Sequence, residues 1–311
     1  MQRQALADWL QQQLGLELEG LQAVGGGCIH RAWQLQLRGG DRLFAKTNRR
    51  ALLPVLQAEA EGLTALRQAD QRAAELSEQP GLQIPEPLAL GSVDDAADGQ
   101  AVLVLRWLEL GSGGDERGWR DLGAGLARLH RASLEGHDGR YGWERDNAIG
   151  ASPQANGWSG SWCTFFSQRR LGAQLRMAEA SGQRIAGSAE LLAQLPRWLG
   201  NHQPEACLVH GDLWGGNAAL LAGGGGAIFD PAVHRADREV DLAMARLFGG
   251  FPASFFAGYE GEWPLPRGHK QRSDLYNLYH LLNHANLFGG GYWHQCERSI
   301  AALLRQGSAD N

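Results

Sequence analysis

The pattern of apolar and polar residues predicts a helix and three strands at the start of the chain. Leucine and tryptophan recur at helical spacing over residues 6–14, which predicts a short amphipathic helix. An apolar stretch at residues 21–24 then leads into a glycine run, and residues 33–37 alternate apolar with polar side chains before Gly39-Gly40-Asp41. A third apolar stretch, residues 43–46, follows that turn. This order predicts a strand, a glycine loop and a β-hairpin.

The following residues predict a helix, a loop-rich segment and a buried strand. A helical pattern runs from about Pro54 to Gln68, whereas residues 68–98 contain proline and glycine clusters that predict loops. Residues 101–105 are entirely apolar, which is typical of a buried strand. A glycine-rich segment comes next and predicts a hinge. We therefore expect two lobes, residues 1–106 and residues 107–311.

The second lobe has mostly helical patterns. A helix is predicted from Asp121, and residues 218–229 predict a β-hairpin around a run of four glycines. Residues 141–164 are rich in Gly, Asn, Pro and Trp and predict a long ordered loop. Further helices are predicted at residues 165–180, 188–199, 238–244 and 276–284. The expected fold class is α+β, with a small β-rich N-terminal lobe and a larger, mostly helical C-terminal lobe.

Composition and charge narrow the classes of protein that fit. The chain has 311 residues, of which 43% are hydrophobic and 20% charged, as is ordinary for a soluble globular protein. Its net charge is −5 and its basic residues are scattered, so we expect no nucleic-acid partner. No stretch has the ~20 apolar residues of a membrane span, and the start of the chain does not resemble a signal peptide. Four dispersed cysteines suit a reducing compartment, and we expect a cytoplasmic protein.

The strongest chemical signal lies between residues 210 and 230. His210-Gly211-Asp212 is followed five residues after the aspartate by Asn217, and Asp230 comes thirteen residues after that asparagine. Phosphoryl transfer from ATP to a hydroxyl requires a carboxylate that orients the hydroxyl and takes its proton, and oxygen ligands that hold Mg²⁺ against the phosphates. Although His-Gly-Asp alone also fits an ordinary turn, this spacing predicts a phosphotransferase. We predict Asp212 as the base and Asn217 and Asp230 as magnesium ligands.

The first lobe contains residues suited to bind the phosphates of ATP. The glycine loop Gly25-Gly26-Gly27 lets backbone amides approach phosphates closely, and Lys46 on a following strand reaches the same phosphates. An ion pair with an acidic residue of the next helix holds such a lysine in place. Glu59 is the favoured partner, and Glu61 is the alternative. A Walker-type site is excluded because the chain has no GxxxxGK[ST] motif.

Other polar residues have less specific interpretations. We expect backbone groups of the hinge from Arg106 to Leu108 to hold adenine. His130 is expected to pack or to cap a helix, and Asp241 to accept backbone amides of the catalytic loop. His280 and His284 are four residues apart, as zinc ligands on a helix are, but no third ligand is evident, which favours packing or substrate contact for His284.

The chain resembles the fructosamine kinase family, also called ketosamine-3-kinases, over nearly its whole length. The matching stretches are Gly25-Gly26-Gly27-Cys28-Ile29, Lys46-Thr47-Asn48-Arg49-Arg50, Asp146-Asn147, Pro153-Gln154, Asn156-Gly157-Trp158, Thr164-Phe165-Phe166, His210 to Asn217, Asp230-Pro231-Ala232, Leu247 to Phe251 and Leu282-Asn283-His284. The resemblance implies a two-lobed, protein-kinase-like fold shared with aminoglycoside phosphotransferases and choline kinases. It also implies ATP-dependent transfer to the 3-hydroxyl of ketosamines, either small molecules or glycated proteins, after which the adduct falls apart.

The resemblance assigns the same roles to Asp212, Asn217, Asp230, Lys46 and Glu59, and it adds two more. Trp214 becomes a sugar-stacking face, for which an indole beside the base is suited, although core packing is the alternative. Cys28 becomes a redox-sensitive loop cysteine that links two subunits, for which an inert side chain is the alternative. Monomer and homodimer both stay open.

One segment departs from the family pattern. After Asp-Pro-Ala-Val the family commonly has Tyr-Tyr-Gly-His or similar, where this chain has His234-Arg235-Ala236-Asp237. We expect this change to bear on which ketosamine fits, with ribulosamines favoured. A kinase of the same fold that acts on an aminoglycoside or a free sugar is the rival enzyme. A non-catalytic nucleotide-binding regulator is the rival from another class, but Lys46, Asp212, Asn217 and Asp230 are all present.

Overall fold

The N-terminal lobe is built around one five-stranded antiparallel sheet, and helices dominate the rest of the chain. The structure is a computed structural model that describes residues 3–25, 29–94, 99–111 and 113–309. The two-lobed α+β architecture expected from the sequence is confirmed. Among the described residues, no helix combines the length and the apolar character needed to cross a lipid bilayer.

The sheet of the N-terminal lobe has the strand order β1-β2-β3-β5-β4, with every neighbouring pair antiparallel. Its strands are β1 (Leu18–Val24), β2 (Arg31–Leu37), β3 (Arg42–Arg49), β4 (Pro87–Val93) and β5 (Gln100–Arg106). Strands β2 and β3 form the predicted hairpin. The lysine-bearing strand β3 is therefore paired with the strand that follows the glycine loop in sequence.

Residues 101–105 of strand β5 are all apolar, and both faces of this part of the strand are covered. Val102 and Val104 pack in the same cluster as helix α1 (Arg3–Leu14). Leu103 and Leu105 point to the opposite face, as alternate strand residues do, and pack with helix α2 (Leu53–Ser77). All four side chains are at most 2% exposed.

Helix α2 is longer than the sequence pattern predicts, and β4 lies in a region predicted as loops. The helix was expected to end near Gln68, but it continues to Ser77 because residues 69–76 are mostly good helix formers. Its end comes at Glu78, whose backbone is left-handed with φ 54°. β4 carries proline and glycine, so its strand character depends on pairing with β5, a contact that local propensity does not reveal.

The C-terminal lobe begins with helix α3 (Glu116–Ala132), which starts five residues before the predicted Asp121. Asp115 caps this helix, since its carboxylate accepts the backbone N–H of Gly118 at 2.6 Å. The later elements are β6 (Asn147–Ile149), β7 (Ser152–Gln154), α4 (Trp162–Phe165), α5 (Gly172–Ala180), α6 (Ser188–Leu199), β8 (Cys207–Val209), β9 (Ala218–Leu220), β10 (Gly226–Ile228), β11 (His234–Ala236), α7 (Glu239–Leu247), α8 (Ala253–Glu262), α9 (His269–Phe288) and α10 (Gly291–Ala309). A π-helical segment, Phe166–Leu171, joins α4 to α5.

Two short sheets frame the sequence motif between residues 210 and 230. β8 pairs with β11, and β9 pairs with β10 as the predicted glycine-turn hairpin. β8 therefore ends immediately before the His-Gly-Asp segment, while β10 ends just before the second aspartate. The linker between the lobes is hydrogen-bonded to the β9–β10 hairpin: the N–H of Gly111 donates to the carbonyl of Leu220 at 2.8 Å.

Candidate active site

The loop that carries the predicted base is held by hydrogen bonds to Asp241, which lies at the start of α7. Its carboxylate accepts the backbone N–H groups of His210 at 2.7 Å and Gly211 at 2.8 Å. His130 Nε2 lies 3.2 Å from the same carboxylate, and His130 Nδ1 lies 2.8 Å from the hydroxyl of Tyr259. Burial alone would raise the pKa of Asp241, but its hydrogen bond to His130 and the neighbouring donors lower it overall. A buried carboxylate thus fixes the loop backbone.

Gly211 has a conformation and a packing that other residues do not fit. Its φ is +80°, and a Cβ atom built on it would lie 2.2 Å from the carbonyl oxygen of Ala232. The backbone N–H of Ala232 in turn donates to the carbonyl of His210 at 2.9 Å. The loop that bears the base and the segment that follows the second aspartate are therefore packed backbone against backbone.

Asp212 lies half-buried beside Asn217. The amide nitrogen of Asn217 donates to the carbonyl oxygen of Asp212 at 2.9 Å and approaches its carboxylate at 3.3 Å. Burial raises the pKa of Asp212 to about 7, and the nearby charge of Asp230 acts in the same direction. A carboxylate with a pKa close to the working pH is suited to accept a proton from a hydroxyl.

Asn217 and Asp230 are brought together by the β9–β10 hairpin. The backbone N–H of Phe229 donates to the carbonyl of Asn217 at 3.0 Å, and the amide nitrogen of Asn217 lies 3.4 Å from the carbonyl oxygen of Asp230. Asp230 has φ +59°, a left-handed conformation that costs a non-glycine residue about 1–2 kcal/mol. Strain of this kind is typical of functional positions.

Lys46 connects the two lobes at this site. Its ammonium lies 2.6 Å from the carboxylate of Glu59 on α2 and also contacts the carboxylate of Asp230. The lysine is only 5% exposed. Burial lowers the pKa of Lys46, but the charges of Glu59 and Asp230 outweigh it and raise the pKa overall, so the ammonium stays charged. Glu61, the alternative partner, instead pairs with Arg145 at 3.0 Å.

The donor set at Asn217 and Asp230 suits a hard divalent cation. The nitrogen of the Asn217 amide faces the backbone of Asp212 and Asp230, which leaves its oxygen as the coordinating atom. An amide oxygen and a carboxylate are ligands that Mg²⁺ accepts in nucleotide sites. The neighbouring Lys46 supplies a positive charge for phosphate oxygens. The residues present therefore fit a magnesium–nucleotide complex.

The predicted nucleotide-binding residues of the first lobe are only partly described. Gly25 directly follows β1, whereas Gly26, Gly27 and Cys28 lie outside the described residues, so the redox prediction for Cys28 stays a prediction. The end of the loop is anchored by Asn48, whose amide nitrogen donates to the carbonyl of Ile29 at 3.0 Å. Asn48 lies in one of the stretches that match the family, but this role was not predicted from the sequence.

The hinge residues Arg106 and Leu108 lie in different environments. The backbone N–H of Arg106 donates to the carbonyl of Glu86 at 2.9 Å, and its guanidinium pairs with the Glu86 carboxylate at 2.7 Å. The backbone N–H and the guanidinium of Arg106 thus both bind Glu86, the residue that precedes edge strand β4. Leu108 is half-buried in the linker after β5. Adenine contact by the backbone of these residues stays a prediction.

The two predicted substrate residues lie in different settings. Trp214 is 40% exposed, which argues against the core-packing alternative, and its indole lies over Gly216. His284 packs against the rings of Phe248 at 4.6 Å and Tyr292 at 5.3 Å between centroids. Its Nδ1 is 2.9 Å from the carbonyl of His280. Contact of Trp214 and His284 with substrate stays a prediction.

A polar network behind the site was not assigned by sequence reasoning, although its members lie in or near the quoted stretches. Gln154 donates to the carbonyl of Ala232 at 3.1 Å and to Asn147 at 2.8 Å, and it accepts the hydroxyl of Tyr279 at 2.7 Å. Asn147 donates to the carbonyl of Val233 at 2.8 Å. The network therefore fixes the segment that follows Asp230 and Pro231. The sequence signal available for this network was the presence of the amide residues Asn147 and Gln154 in a glycine-rich stretch.

Another cluster of potential ligands lies outside this site. His202, Asp237 and Glu239 come close together at a cavity of about 350 Å³ that none of the predicted site residues lines. Each already has a partner: His202 lies 2.6 Å from Asp237, and Glu239 pairs with Arg272 at 2.6 Å. In the described part of the chain, the pair His280 and His284 belongs to no three-ligand cluster.

Comparisons with known proteins agree with this geometry. The family model described as fructosamine kinase matches residues 2–306. The chain is 41% identical to a "probable ketoamine kinase" of Synechocystis over 304 residues, which cover 97% of each protein. It is 35% identical to the chloroplastic protein-ribulosamine 3-kinase of Oryza sativa, over 93% of this chain and 80% of that protein.

Solved structures show the same relationship. A crystal structure titled "putative fructosamine-3-kinase" from Haemophilus somnus 129PT superposes with a TM-score of 0.83 at 25% identity, covering 97% of each chain. An aminoglycoside phosphotransferase shares the fold, with a TM-score of 0.61 at 19% identity over 97% of this chain and 99% of that chain. The protein-kinase-like fold implied by the resemblance is therefore confirmed. With a family model that matches nearly its whole length, the chain belongs to the fructosamine kinase family.

Proposed function

We propose that the protein is an ATP-dependent ketosamine 3-kinase that phosphorylates the 3-hydroxyl of a ketosamine and so leads to deglycation. The observation that carries this proposal is the convergence of Asp212, Asn217 and Asp230 on one loop and hairpin, with Lys46 of the other lobe contacting Asp230. These are the residue types that hydroxyl-directed phosphoryl transfer from ATP requires.

Each residue has a defined task in this reaction. Asp212 orients the acceptor hydroxyl and takes its proton as the oxygen attacks the γ-phosphorus of ATP. Lys46 binds phosphate oxygens, and Glu59 holds the lysine in place through the 2.6 Å ion pair. Asn217 and Asp230 would hold Mg²⁺, which neutralises phosphate charge when bound. Asp241 keeps the loop backbone fixed, so Asp212 needs little rearrangement before it reacts.

Ribulosamine adducts of amines or protein lysines are the proposed preferred substrates. The rice relative is named a protein-ribulosamine 3-kinase and the Synechocystis relative a ketoamine kinase. The half-exposed indole of Trp214, two residues after the base, offers a flat apolar face for a short sugar. We also propose that the boundary between the nucleotide-binding and catalytic lobes falls after Arg106, where β5 ends.

A phosphate-transfer screen tests the proposal. The protein is incubated with ATP and Mg²⁺ and with ribulosamine, erythrulosamine or fructosamine adducts of N-α-acetyl-lysine, or with free ribose, fructose or an aminoglycoside. ADP release gives the rate, and NMR identifies the phosphorylated carbon. We expect ketosamines to react at carbon 3, and EDTA and Asp212→Asn to stop the reaction. Faster transfer to an aminoglycoside or to a free sugar would refute the proposal.

A further inference from the structure

Exposed aromatic rings lie on the catalytic loop and on the segments beside it. Large apolar side chains that are exposed in the described part of the chain include Trp214 at 40%, Phe248 at 38% and Phe288 at 59%. Phe248 and Phe288 both pack on the imidazole of His284, at 4.6 Å and 5.6 Å between ring centroids. Two separate elements, the end of α7 and the end of α9, thus contribute to one aromatic surface.

This surface is joined to the catalytic loop through glycines. The segment after Phe248 is Gly249-Gly250, and a Cβ atom at Gly250 would lie 2.9 Å from the Cα of Gly215. A Cβ at Gly249 would meet nothing within 4 Å. No side chain of this turn therefore stands between Trp214 and Phe248. We call Trp214, the glycine turn, Phe248, His284 and Phe288 the aromatic strip.

The aromatic strip carries no formal charge. Burial lowers the pKa of His284, so its imidazole is neutral at pH 7. Its Nδ1 is already engaged with the carbonyl of His280 at 2.9 Å. A surface of this kind binds apolar and aromatic groups.

The covalent structure of a ketosamine places its amine substituent near the aromatic strip when the sugar is bound. In such an adduct the amine nitrogen is three bonds from carbon 3, or about 4 Å when the bonds are extended. With the 3-hydroxyl at Asp212 and the sugar against Trp214, the substituent must leave the site within a few ångströms of the catalytic loop. The aromatic strip begins there, at the residue two positions after the base.

We propose that the aromatic strip is a binding site for the amine carrier of the substrate, and that it selects carriers with aromatic or aliphatic side chains next to the modified lysine. This inference rests on the proposed function and adds the class of carrier to it. A second copy of the chain is the competing occupant. Three half-exposed rings offer roughly 300 Å², however, well short of the ~800 Å² per partner of a standard stable interface.

Two ribulosamine-modified peptides test the proposal. They have equal length and charge and a single modified lysine, which is flanked by phenylalanine in one peptide and by glutamine in the other. The ratio of their kcat/KM values is measured for the wild type, Phe248→Ala, Phe288→Ala and Leu76→Ala. Leu76 is a matched control because it is 70% exposed on α2 and outside the strip.

We expect the wild type and Leu76→Ala to prefer the phenylalanine peptide about three- to tenfold, and the preference to fall towards one in both phenylalanine variants. Melting temperatures verify that the variants fold. An equal ratio in all four proteins would overturn the inference, as would a dimer in light scattering that Phe288→Ala dissociates. Ribulosyl-N-α-acetyl-lysine separates the two levels: turnover of this small substrate without peptide preference refutes the carrier site alone. No turnover of any ribulosamine, erythrulosamine or fructosamine adduct refutes the proposed function as well.

Discussion

The carboxylate of Asp241 accepts the backbone N–H of Gly211 at 2.8 Å, one residue before the predicted base. The same side chain also accepts the backbone N–H of His210 and lies beside His130. Three donors thus converge on a side chain that is fully buried. Asp241 thus fixes the backbone of the two residues that precede Asp212.

Asp241→Asn is expected to lower both activity and stability. One end of the new side chain is an NH₂ group, which cannot accept a hydrogen bond, so at least one backbone N–H of the loop loses its partner. Leaving such a buried donor unsatisfied costs about 1–3 kcal/mol. Urea unfolding should show this loss, and kcat should fall about tenfold or more as the loop shifts.

Asp274→Asn provides the matched control, since Asp274 lies exposed on α9. It should leave stability and kcat within experimental error of the wild type. An Asp241→Asn protein with wild-type kcat would show that the buried carboxylate does not position the base.

The two glutamates of α2 should respond differently to the same substitution. Glu59→Gln removes one of the two carboxylates that hold Lys46, and charge-assisted hydrogen bonds contribute about 1.5–3 kcal/mol. We expect kcat/KM for ATP to fall about 10- to 100-fold. Glu61→Gln changes the more exposed pair with Arg145 and the hydrogen bond from Gln57, and we expect less than a twofold change.

Steady-state kinetics with ATP varied at saturating ketosamine measure both variants. Equal losses in Glu59→Gln and Glu61→Gln would mean that α2 as a whole, and not the ion pair with Lys46, responds to the change. A loss of kcat/KM confined to Glu61→Gln would show that Glu61, and not Glu59, is the functional partner of Lys46.

Asp212→Asn should separate chemistry from nucleotide binding. The asparagine keeps the shape of the side chain but cannot take the proton, and loss of general-base catalysis lowers rates about 10²- to 10⁴-fold. The affinity for ATP should change little, because the base contacts the acceptor and not the nucleotide. Calorimetric titration with a non-hydrolysable ATP analogue measures the affinity, and a large loss of affinity would contradict the assigned role.

Local sequence signals predicted the parts of the site and the hairpin that joins two of them, but not the contacts between distant segments. The run Gly223 to Gly226 between two apolar stretches predicted the hairpin that brings Asn217 and Asp230 together, because turn chemistry is a local property. Helix geometry predicted that only one of Glu59 and Glu61 pairs with the lysine, since residues two apart face different directions, but it did not decide which one. The contact between Lys46 and Asp230 joins residues 184 positions apart and has no local signature.

The remaining differences also have physical reasons. β4 was predicted as a loop because its proline and glycine disfavour a strand, and pairing with β5 overrides that preference. His130 is packed as expected, but its contact with Asp241, 111 residues away, was not predicted. Burial of a polar side chain against one distant partner depends on the assembled fold, which periodicity and motif spacing do not encode.

Asp70 should make stability depend on pH in a direction opposite to that of most carboxylates. It is 8% exposed on α2 and accepts the backbone N–H of Leu82 at 2.9 Å. Burial raises the pKa of Asp70 to about 6, although the hydrogen bond from Leu82 and the nearby arginines act in the other direction. The folded protein therefore binds this proton more tightly than the unfolded chain does. The resulting stabilisation is complete below pH ~4 and is lost as the pH rises through 6.

Asp70→Asn removes this titration while keeping an oxygen that accepts the N–H of Leu82. Between pH 7.5 and pH 5 the wild type should gain about 1 kcal/mol of unfolding free energy relative to the variant. Urea unfolding of both proteins at the two pH values measures the difference, with Asp274→Asn as the exposed control. If the wild type instead loses stability relative to Asp70→Asn as the pH falls, the carboxyl has a depressed pKa, and its charge is stabilised by Arg67 and Arg128 more than burial opposes it.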